Sequence, residues 1–221
     1  MRDDLFFCEA KKGCRFLKKN EHIFKKVREE WEDYLETGKD KINKEKFERE
    51  YNFTNLFECY EKWRAGERDK GFQKSYYFAE ELLKKYEIPS LSEKEINKFL
   101  KEEEINEPVW GGIFLSAIIN KLYASEEIHL DSNNMGYHGC CNKNKKIVVE
   151  GDCGGSIGMN MYGGEIIVDG DCGDWVGGYM EGGKIKIYGD NFNPKEQISG
   201  YAEGGEIYHK DELVWKDGEL I

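Results

Sequence analysis

Cysteine and histidine side chains near the amino terminus are the first candidates for chemistry. Cys8 and Cys14 are close together in the chain, and His22 and Cys59 follow. Thiolates and imidazoles are good ligands for soft transition metals. Their spacing differs from the short Cys-x-x-Cys spacing of structural zinc sites, and a buried free thiol is the alternative fate of each cysteine. Cys8 and Cys14 are therefore weak metal candidates, and we expect the protein to hold no metal or cofactor.

A row of aspartates forms a second candidate site. Asp152, Asp171 and Asp190 each follow a glycine, and they are equally spaced along the chain. Stacked carboxylates can bind a cation such as calcium. An aspartate after a corner glycine can equally accept hydrogen bonds from the amides of the turn. We favour the turn role, and Asp152 and Asp171 stay weak metal candidates.

Aromatic and acidic residues recur together further along the chain. Tyr179 and Glu181 are repeated in the same relative positions by Tyr201 and Glu203, and Trp175 precedes the first pair. Rings and carboxylates in register along one edge can form a binding site for a ligand. The same register also predicts plain stacking of surface side chains. We identify Trp175, Tyr179, Glu181 and Tyr201 as a possible ligand edge.

The remaining nucleophile types lie in apolar surroundings. Cys153 and Cys172 each follow a Gly-Asp pair, and at such equivalent positions a disulfide and a ladder of reduced thiols are both sterically reasonable. Reduced thiols are expected in a cytoplasmic protein. Nothing beside Cys140 and Cys141 activates them as nucleophiles. His138 stands where the following repeats have Ile157, Val176 and Ile198, which favours a core or cap histidine over a catalytic base. No catalytic residue is assigned, and the sequence leans away from an enzyme.

These candidates are carried by an internal repeat with a period of 19 positions. Ile128, Ile147, Ile166 and Ile185 are equally spaced, and after a short insertion around Pro194 the pattern resumes at Ile207. Glycines recur with the same period between the apolar runs. The repeated glycines are Gly151, Gly158, Gly163, Gly164, Gly170, Gly177, Gly182, Gly183 and Gly189.

This period indicates a solenoid of short β-strands. The apolar runs are β-branched and end at glycine corners, so no segment between corners is long enough for a helix. Successive parallel strands should coil in a right-handed sense. Corner glycines are needed where φ is positive or where a Cβ has no room, and for Gly163 and Gly182 we expect positive φ. The sequence predicts about four rungs over residues 126–221, closed by a carboxy-terminal tail.

The repeat resembles a known superfamily. Residues 151–171, with Gly151-Asp152, Gly158, Gly163-Gly164 and Gly170-Asp171, and their sequel through Asp190 are similar to its G-x-x-G-x-x-x-G repeats. This superfamily comprises the carboxy-terminal GXGXG domain of the glutamate synthase large subunit and the C-subunit of formylmethanofuran dehydrogenase. The resemblance covers about residues 128–207.

Two functions follow as hypotheses. In the families that the repeat resembles, this domain positions catalytic domains, which implies a non-catalytic scaffold or assembly protein bound to a larger enzyme subunit, or a homo-oligomer. The alternative is an enzyme or a small-ligand-binding protein with its site between the helical part and the solenoid.

Residues 1–125 read as helices, which gives an α+β fold with a helical part packed on a parallel β-helix. The pattern predicts helices from Asn20 to Gly38, over 43–65, from Phe72 to before Pro89, and from the capping box at Ser92 to about Glu104. An apolar helix over 111–123 leads into the first rung. We expect this helix to cap the open end of the strand stack.

Composition restricts the class of protein. The chain has 221 residues and a net charge of −11, which argues against nonspecific nucleic-acid binding because that requires Lys and Arg to neutralise phosphates. No apolar run is long enough to span a membrane. We expect a cytoplasmic protein, and abundant Lys and Glu with scarce Gln hint at a thermophile.

Overall fold

The structure is a computed structural model that describes residue 29 and residues 44–66, 71–101, 111–131 and 134–221. The chain forms two compact units, residues 1–62 and residues 63–221. Cys8, Cys14 and the helix expected from Asn20 to Gly38 lie outside the described residues, except for Glu29, which is helical.

Helices precede strands along the described chain, apart from one short helix between two strands. The helices are α1 (Lys44–Ala65), α2 (Phe72–Lys85), α3 (Glu93–Leu100), α4 (Gly111–Leu122) and α5 (Pro194–Gln197). The strands are β1 (Glu127–Asp131), β2 (Lys146–Glu150), β3 (Glu165–Val168), β4 (Lys184–Ile187), β5 (Glu206–His209), β6 (Glu212–Lys216) and β7 (Glu219–Leu220). The α+β class and the parallel solenoid of about four turns are confirmed.

The solenoid is a parallel ladder in sequence order. Strands β1 to β5 pair successively, and the pairing sets each residue against its equivalent in the next repeat, with the same register kept across the longer step between β4 and β5. The five isoleucines of the repeat form one column in which no side chain is more than 1% exposed. Burying β-branched side chains one above another is what binds successive rungs together.

The insertion around Pro194 does not disturb this register. It forms α5, where Pro194 stands at the first helical position and the Asn193 side chain accepts a hydrogen bond of 3.2 Å from the Lys195 amide. Directly after α5, Ile198 pairs in parallel with Val176 of the preceding rung. The insertion is therefore absorbed as a local bulge in one loop.

The two glycines of each Gly-Gly pair are required for different reasons. Gly164 and Gly183 have φ of 80° and 94°, in the left-handed region. Gly163 and Gly182 do not, so the expected positive φ is wrong for them. A Cβ on Gly163 would collide with the Lys143 carbonyl oxygen, and one on Gly182 would lie 2.8 Å from that of Tyr162. Close approach of the neighbouring rung excludes a side chain at these two positions.

Charges alternate along the first position of the strands. The ladder stacks Glu127, Lys146, Glu165, Lys184 and Glu206 in this order. Lys146 lies 2.8 Å from Glu127, and Lys184 lies 3.2 Å from Glu206. A hydrogen bond from Tyr208, together with those from Lys216 and Lys184, lowers the pKa of Glu206 to about 2. The acids of this strand face are thus neutralised by lysines of adjacent rungs.

The carboxy-terminal end of the stack is closed by a reversal of chain direction. Strands β6 and β7 pair antiparallel, and β6 covers the edge of β5 with Trp215 opposite Ile207. Trp215 is 3% exposed, whereas Leu220 is half exposed. The tail closes this end mainly through β6 and its tryptophan.

The opposite edge, on β1, is covered by side chains instead of a strand. Helix α3 begins at the predicted capping box, in which Ser92 and Glu95 bind each other's backbone amides. From this helix, Glu93 accepts a hydrogen bond of 2.9 Å from the His129 amide. Asn97 donates to the His129 carbonyl at 2.7 Å and accepts from the Asp131 amide at 3.0 Å. Two side chains one helical turn apart therefore replace the partner strand that β1 lacks.

Helix α4 covers the loop of the first rung. The Ser116 hydroxyl donates to the Tyr137 carbonyl at 2.9 Å and accepts from the Cys140 amide at 3.1 Å. Gly112 lies so close to the Gly136 carbonyl that a Cβ would overlap it. Nearly every residue of this helix is buried. The covering of the first rung is therefore shared, with α4 on the loop and α3 along the strand.

We expect Gly163→Ala to lower the free energy of unfolding by about 1–3 kcal/mol, because the new methyl group must displace the Lys143 carbonyl. Gly200→Ala is the matched control, since its Cβ would meet nothing within 4 Å. Denaturant unfolding measures both variants. Equal stability of the two would contradict the close approach of the rungs at Gly163.

We expect the double variant Glu93→Ala/Asn97→Ala to be less stable by about 1–3 kcal/mol and to self-associate, because it leaves the β1 edge without hydrogen-bond partners. Lys94→Ala, an exposed residue of the same helix, is the control. Denaturant melts and size-exclusion chromatography give the two readings. A double variant that stays monomeric and as stable as Lys94→Ala would show that these contacts do not protect the edge.

Candidate functional site

Four aromatic side chains stack on one another beside a corner of the solenoid. Tyr179 and Tyr201 have ring centroids 5.1 Å apart, and Trp175 lies 5.8 Å from Tyr201. Phe72, the first residue of α2, stacks on Tyr179 at 6.4 Å. The ring planes within each pair differ by no more than 21°. We call Phe72, Trp175, Tyr179 and Tyr201 the aromatic ladder.

The register of the solenoid sets the stacking distance of these rings. The Tyr179 amide donates to the Tyr201 carbonyl at 3.1 Å, so the two tyrosines occupy equivalent positions on successive rungs. Rungs of a parallel ladder are about 4.8 Å apart, which is close to the spacing of stacked rings. The Val176 amide donates to the Gln197 carbonyl at 2.9 Å, which fixes the rung beside Trp175. The backbone therefore holds three of the four rings in place.

Two of these aromatic residues have a strained backbone. Trp175 has φ of 65° and Tyr179 has φ of 53°, whereas the equivalent positions one rung earlier hold the small polar residues Ser156 and Asn160. A left-handed conformation costs an L-residue with a bulky side chain about 1–2 kcal/mol. The same positive φ is found at the equivalent positions of the two preceding rungs, in Tyr137 and Ser156 for Trp175 and in Cys141 and Asn160 for Tyr179, so it belongs to the corner geometry of the repeat.

Helix α2 brings the fourth ring to this corner. The helix packs on α4, and Ala79, Leu82 and Leu83 are among its buried residues. Asn120 of α4 donates both to the Tyr76 hydroxyl, at 2.9 Å, and to the Cys140 carbonyl of the first rung, at 3.2 Å. Phe72 was predicted only as an apolar residue of a helix. Its place in the ladder depends on the packing of α2 over the solenoid, for which the local sequence pattern carries no signal.

The aromatic ladder is accessible to a partner molecule. Trp175, Tyr179 and Tyr201 are 48%, 41% and 55% exposed. Of the predicted ligand edge, the structure brings these three rings into one stack and places Glu181 on the same corner, with its amide bonded to the Met161 carbonyl. A surface of this kind can bind a flat or cationic group.

Tyr162 is a further exposed tyrosine, and its pKa is influenced by the charge of this corner. Burial raises the pKa of Tyr162, and the Glu181 carboxylate adds to this rise. The Glu181 carboxylate is therefore close enough to act electrostatically on a ring of the neighbouring rung.

The corner aspartates bind the backbone of the next rung. Asp152 accepts from the Asp171 amide at 2.8 Å, and Asp171 accepts from the Asn191 amide at 2.9 Å and from its side chain at 2.6 Å. The hydrogen bonds from Asn191 lower the pKa of Asp171. Asp190 pairs with Lys210. Asp152 and Asp171 therefore bind backbone amides, as in the turn role, whereas Asp190 forms an ion pair with a lysine side chain.

The other candidates lie in the core of the solenoid. Cys153 and Cys172 are buried free thiols, and burial raises the pKa of Cys172 to about 12. The Sγ atoms of Cys140 and Cys141 are 3.8 Å apart and buried. His138 is 1% exposed, and neither ring nitrogen has a hydrogen-bond partner. The structure thus places His138 in the core, as predicted.

Metal clusters and membrane-spanning helices are both absent from the described ranges. These ranges contain no group of three or more His, Cys, Asp or Glu side chains arranged to hold a metal ion. No helix in the same ranges combines the length and apolar character needed to cross a membrane.

Comparison with known protein families, with curated proteins and with solved structures finds no match.

We expect the stability of the protein to fall between about pH 6.5 and pH 4 because of His138. Burial lowers its pKa from 6.5 to about 4, so in this range the unfolded chain binds a proton that the folded chain does not. A full loss is on the order of 3 kcal/mol. His138→Ile, which copies the residue at position 157, should flatten this part of the stability profile, because it removes the buried group that titrates. Denaturant unfolding at pH 4 to 8 makes the measurement, and an unchanged profile in His138→Ile would contradict it.

Proposed function

We propose that this protein is a non-catalytic scaffold or assembly protein that binds a larger protein through the aromatic ladder. The observation that carries the proposal is a stack of three exposed rings on a rigid solenoid corner, extended by Phe72 from α2. Exposed Trp and Tyr side chains held in one conformation are typical anchors of protein interfaces, because little side-chain entropy is lost when they bind.

The repeat itself supports an assembly role. Its glycine pattern resembles the solenoid domains of glutamate synthase and of the C-subunit of formylmethanofuran dehydrogenase, in which this domain positions catalytic parts. A protein of this class uses its rungs as a fixed frame, and its surface side chains determine what it binds. We therefore place the partner in the class of larger enzyme subunits of a multi-subunit complex.

A small-ligand site is the second candidate function. It is favoured by the contact between Phe72 of the helical part and Tyr179 of the solenoid, since the ladder lies where these two parts meet. The two candidates differ in what they bind: a small molecule needs an enclosed cleft, whereas a protein partner covers an open surface. The exposed state of all three solenoid rings favours the protein partner.

We expect the full chain, used as bait in an extract of its source cells, to retain a larger protein that Tyr179→Ala/Tyr201→Ala does not retain. Loss of two anchor rings should cost on the order of 2 kcal/mol or more of binding free energy, over tenfold in Kd. Tyr188→Ala is the matched control, because Tyr188 pairs with Asp211 and is not part of the ladder.

Quantitative mass spectrometry of the retained proteins gives the result. Retention of the same large protein by wild type and Tyr188→Ala, with loss in the ladder variant, supports the proposal. Equal retention by all three baits, or by none, would overturn the assignment of the ladder as the binding surface. The ladder variant replaces exposed side chains and should therefore keep its fold. Circular dichroism can verify this.

A further inference from the structure

Three exposed acidic side chains are near the residues of the aromatic ladder along the chain. Glu181 and Glu203 follow the two ladder tyrosines on successive rungs, and Asp174 precedes Trp175. All three are exposed, and none forms an ion pair with another described residue. The ladder thus carries three negative charges that the described part of the chain does not pair.

On the strand face of the same rungs, by contrast, acidic side chains form ion pairs with lysines. Glu165 lies 2.8 Å from Lys186, and Glu206 lies 3.2 Å from Lys184 and 3.1 Å from Lys216. Lysines therefore neutralise the acids of that face within the chain. At the aromatic corner no lysine is placed in this way among the described residues, which leaves the carboxylates available to an outside cation.

Rings and carboxylates together select one kind of cation. A guanidinium group is flat, so it stacks on an aromatic face, and its five N–H donors can at the same time bind a carboxylate in two-point fashion. A lysine ammonium forms the ion pair but lacks the flat surface for stacking. The corner offers both contacts at the end of the ladder away from Phe72, since Tyr201 and Glu203 lie on one turn and Asp174 directly precedes Trp175.

Other flat ligands fit this surface less well. Nucleotide bases stack on aromatic rings, but their phosphates would face the three carboxylates and a chain of net charge −11. A second copy of this chain would bring an equally acidic ladder to the contact if it paired symmetrically, and like charges would then oppose each other.

We infer that the aromatic ladder binds an arginine-rich segment of the partner protein, in which guanidinium groups stack on Tyr201 and Trp175, at the end of the ladder away from Phe72, and pair with Glu203, Asp174 and Glu181. This inference rests on the proposed function and names the chemistry of the partner at that site.

Peptide titrations of the full chain test the inference. The probe is an acetylated and amidated peptide with three arginines separated by glycines, compared with the same peptide carrying lysine or citrulline. Citrulline keeps the shape and removes the charge. We expect measurable binding of the arginine peptide at low salt, binding weaker by about three- to tenfold for lysine, and none for citrulline.

Variants then separate charge from stacking. Glu181→Gln/Glu203→Gln should weaken the arginine peptide by about tenfold and reduce the dependence on salt, since it removes two carboxylates and keeps the rings. Tyr179→Ala/Tyr201→Ala should remove the preference for arginine over lysine. Glu150→Gln/Tyr188→Ala, which changes one acid and one tyrosine away from the ladder, should bind like wild type. Isothermal titration calorimetry supplies the affinities.

Three results would overturn the inference. These are absence of arginine-peptide binding, equal affinity for arginine and lysine peptides, and binding unaffected by Glu181→Gln/Glu203→Gln. If the large protein is still captured through the ladder by a bait carrying Glu181→Gln/Glu203→Gln, the proposed scaffold function stands and the arginine-rich partner is rejected. If the ladder variants instead abolish self-association in size-exclusion chromatography, the occupant is a second copy and the inference is also rejected.

Discussion

The fixed spacing between rungs of the parallel ladder is the constraint on which the rest of the molecule depends. Each residue is held about 4.8 Å above its equivalent in the preceding repeat, so every position becomes a column. Apolar columns close the core, with the isoleucines buried one above another. Polar columns satisfy the corners, as when Asp152 binds the amide of Asp171. Where the column is aromatic, the same spacing produces a ring stack.

In a short stack of strands, the two end rungs account for a large part of the stability. This protein covers its two ends by different means. A returning strand covers one edge, and the side chains of Glu93 and Asn97 cover the other. The helices on the amino-terminal side have a second effect, because α2 reaches the corner at which Phe72 contacts Tyr179. Packing that protects the first rung therefore also shapes the surface offered to a partner, and the stability of the unit and its binding are coupled.

The solenoid could be predicted from the sequence because its determinants are local and repeated. Equal spacing of Ile147, Ile166 and Ile185 implies their alignment, and the capping box of Ser92 and Glu95 marks the start of a helix. Phe72 could not be placed in the ladder, because its position follows from packing between α2, α4 and the first rung. The sequence also could not show why glycine is required at Gly163 and Gly182, because a positive φ and a lack of room for a Cβ both require glycine. Only the three-dimensional arrangement shows that polar side chains of α3 bind the β1 edge.

The alternating charges on the strand face bear on how such a chain can change in length over evolution. Glutamate and lysine succeed each other from Glu127 through Lys146, Glu165 and Lys184 to Glu206. Deleting the repeat that carries Glu165 would set Lys146 directly against Lys184, and like charges directly opposite each other destabilise a sheet. Deleting two consecutive repeats restores the alternation. Gene duplications and deletions in this lineage should therefore be retained more readily in even numbers of rungs, a parity rule set by the surface charge and independent of the core.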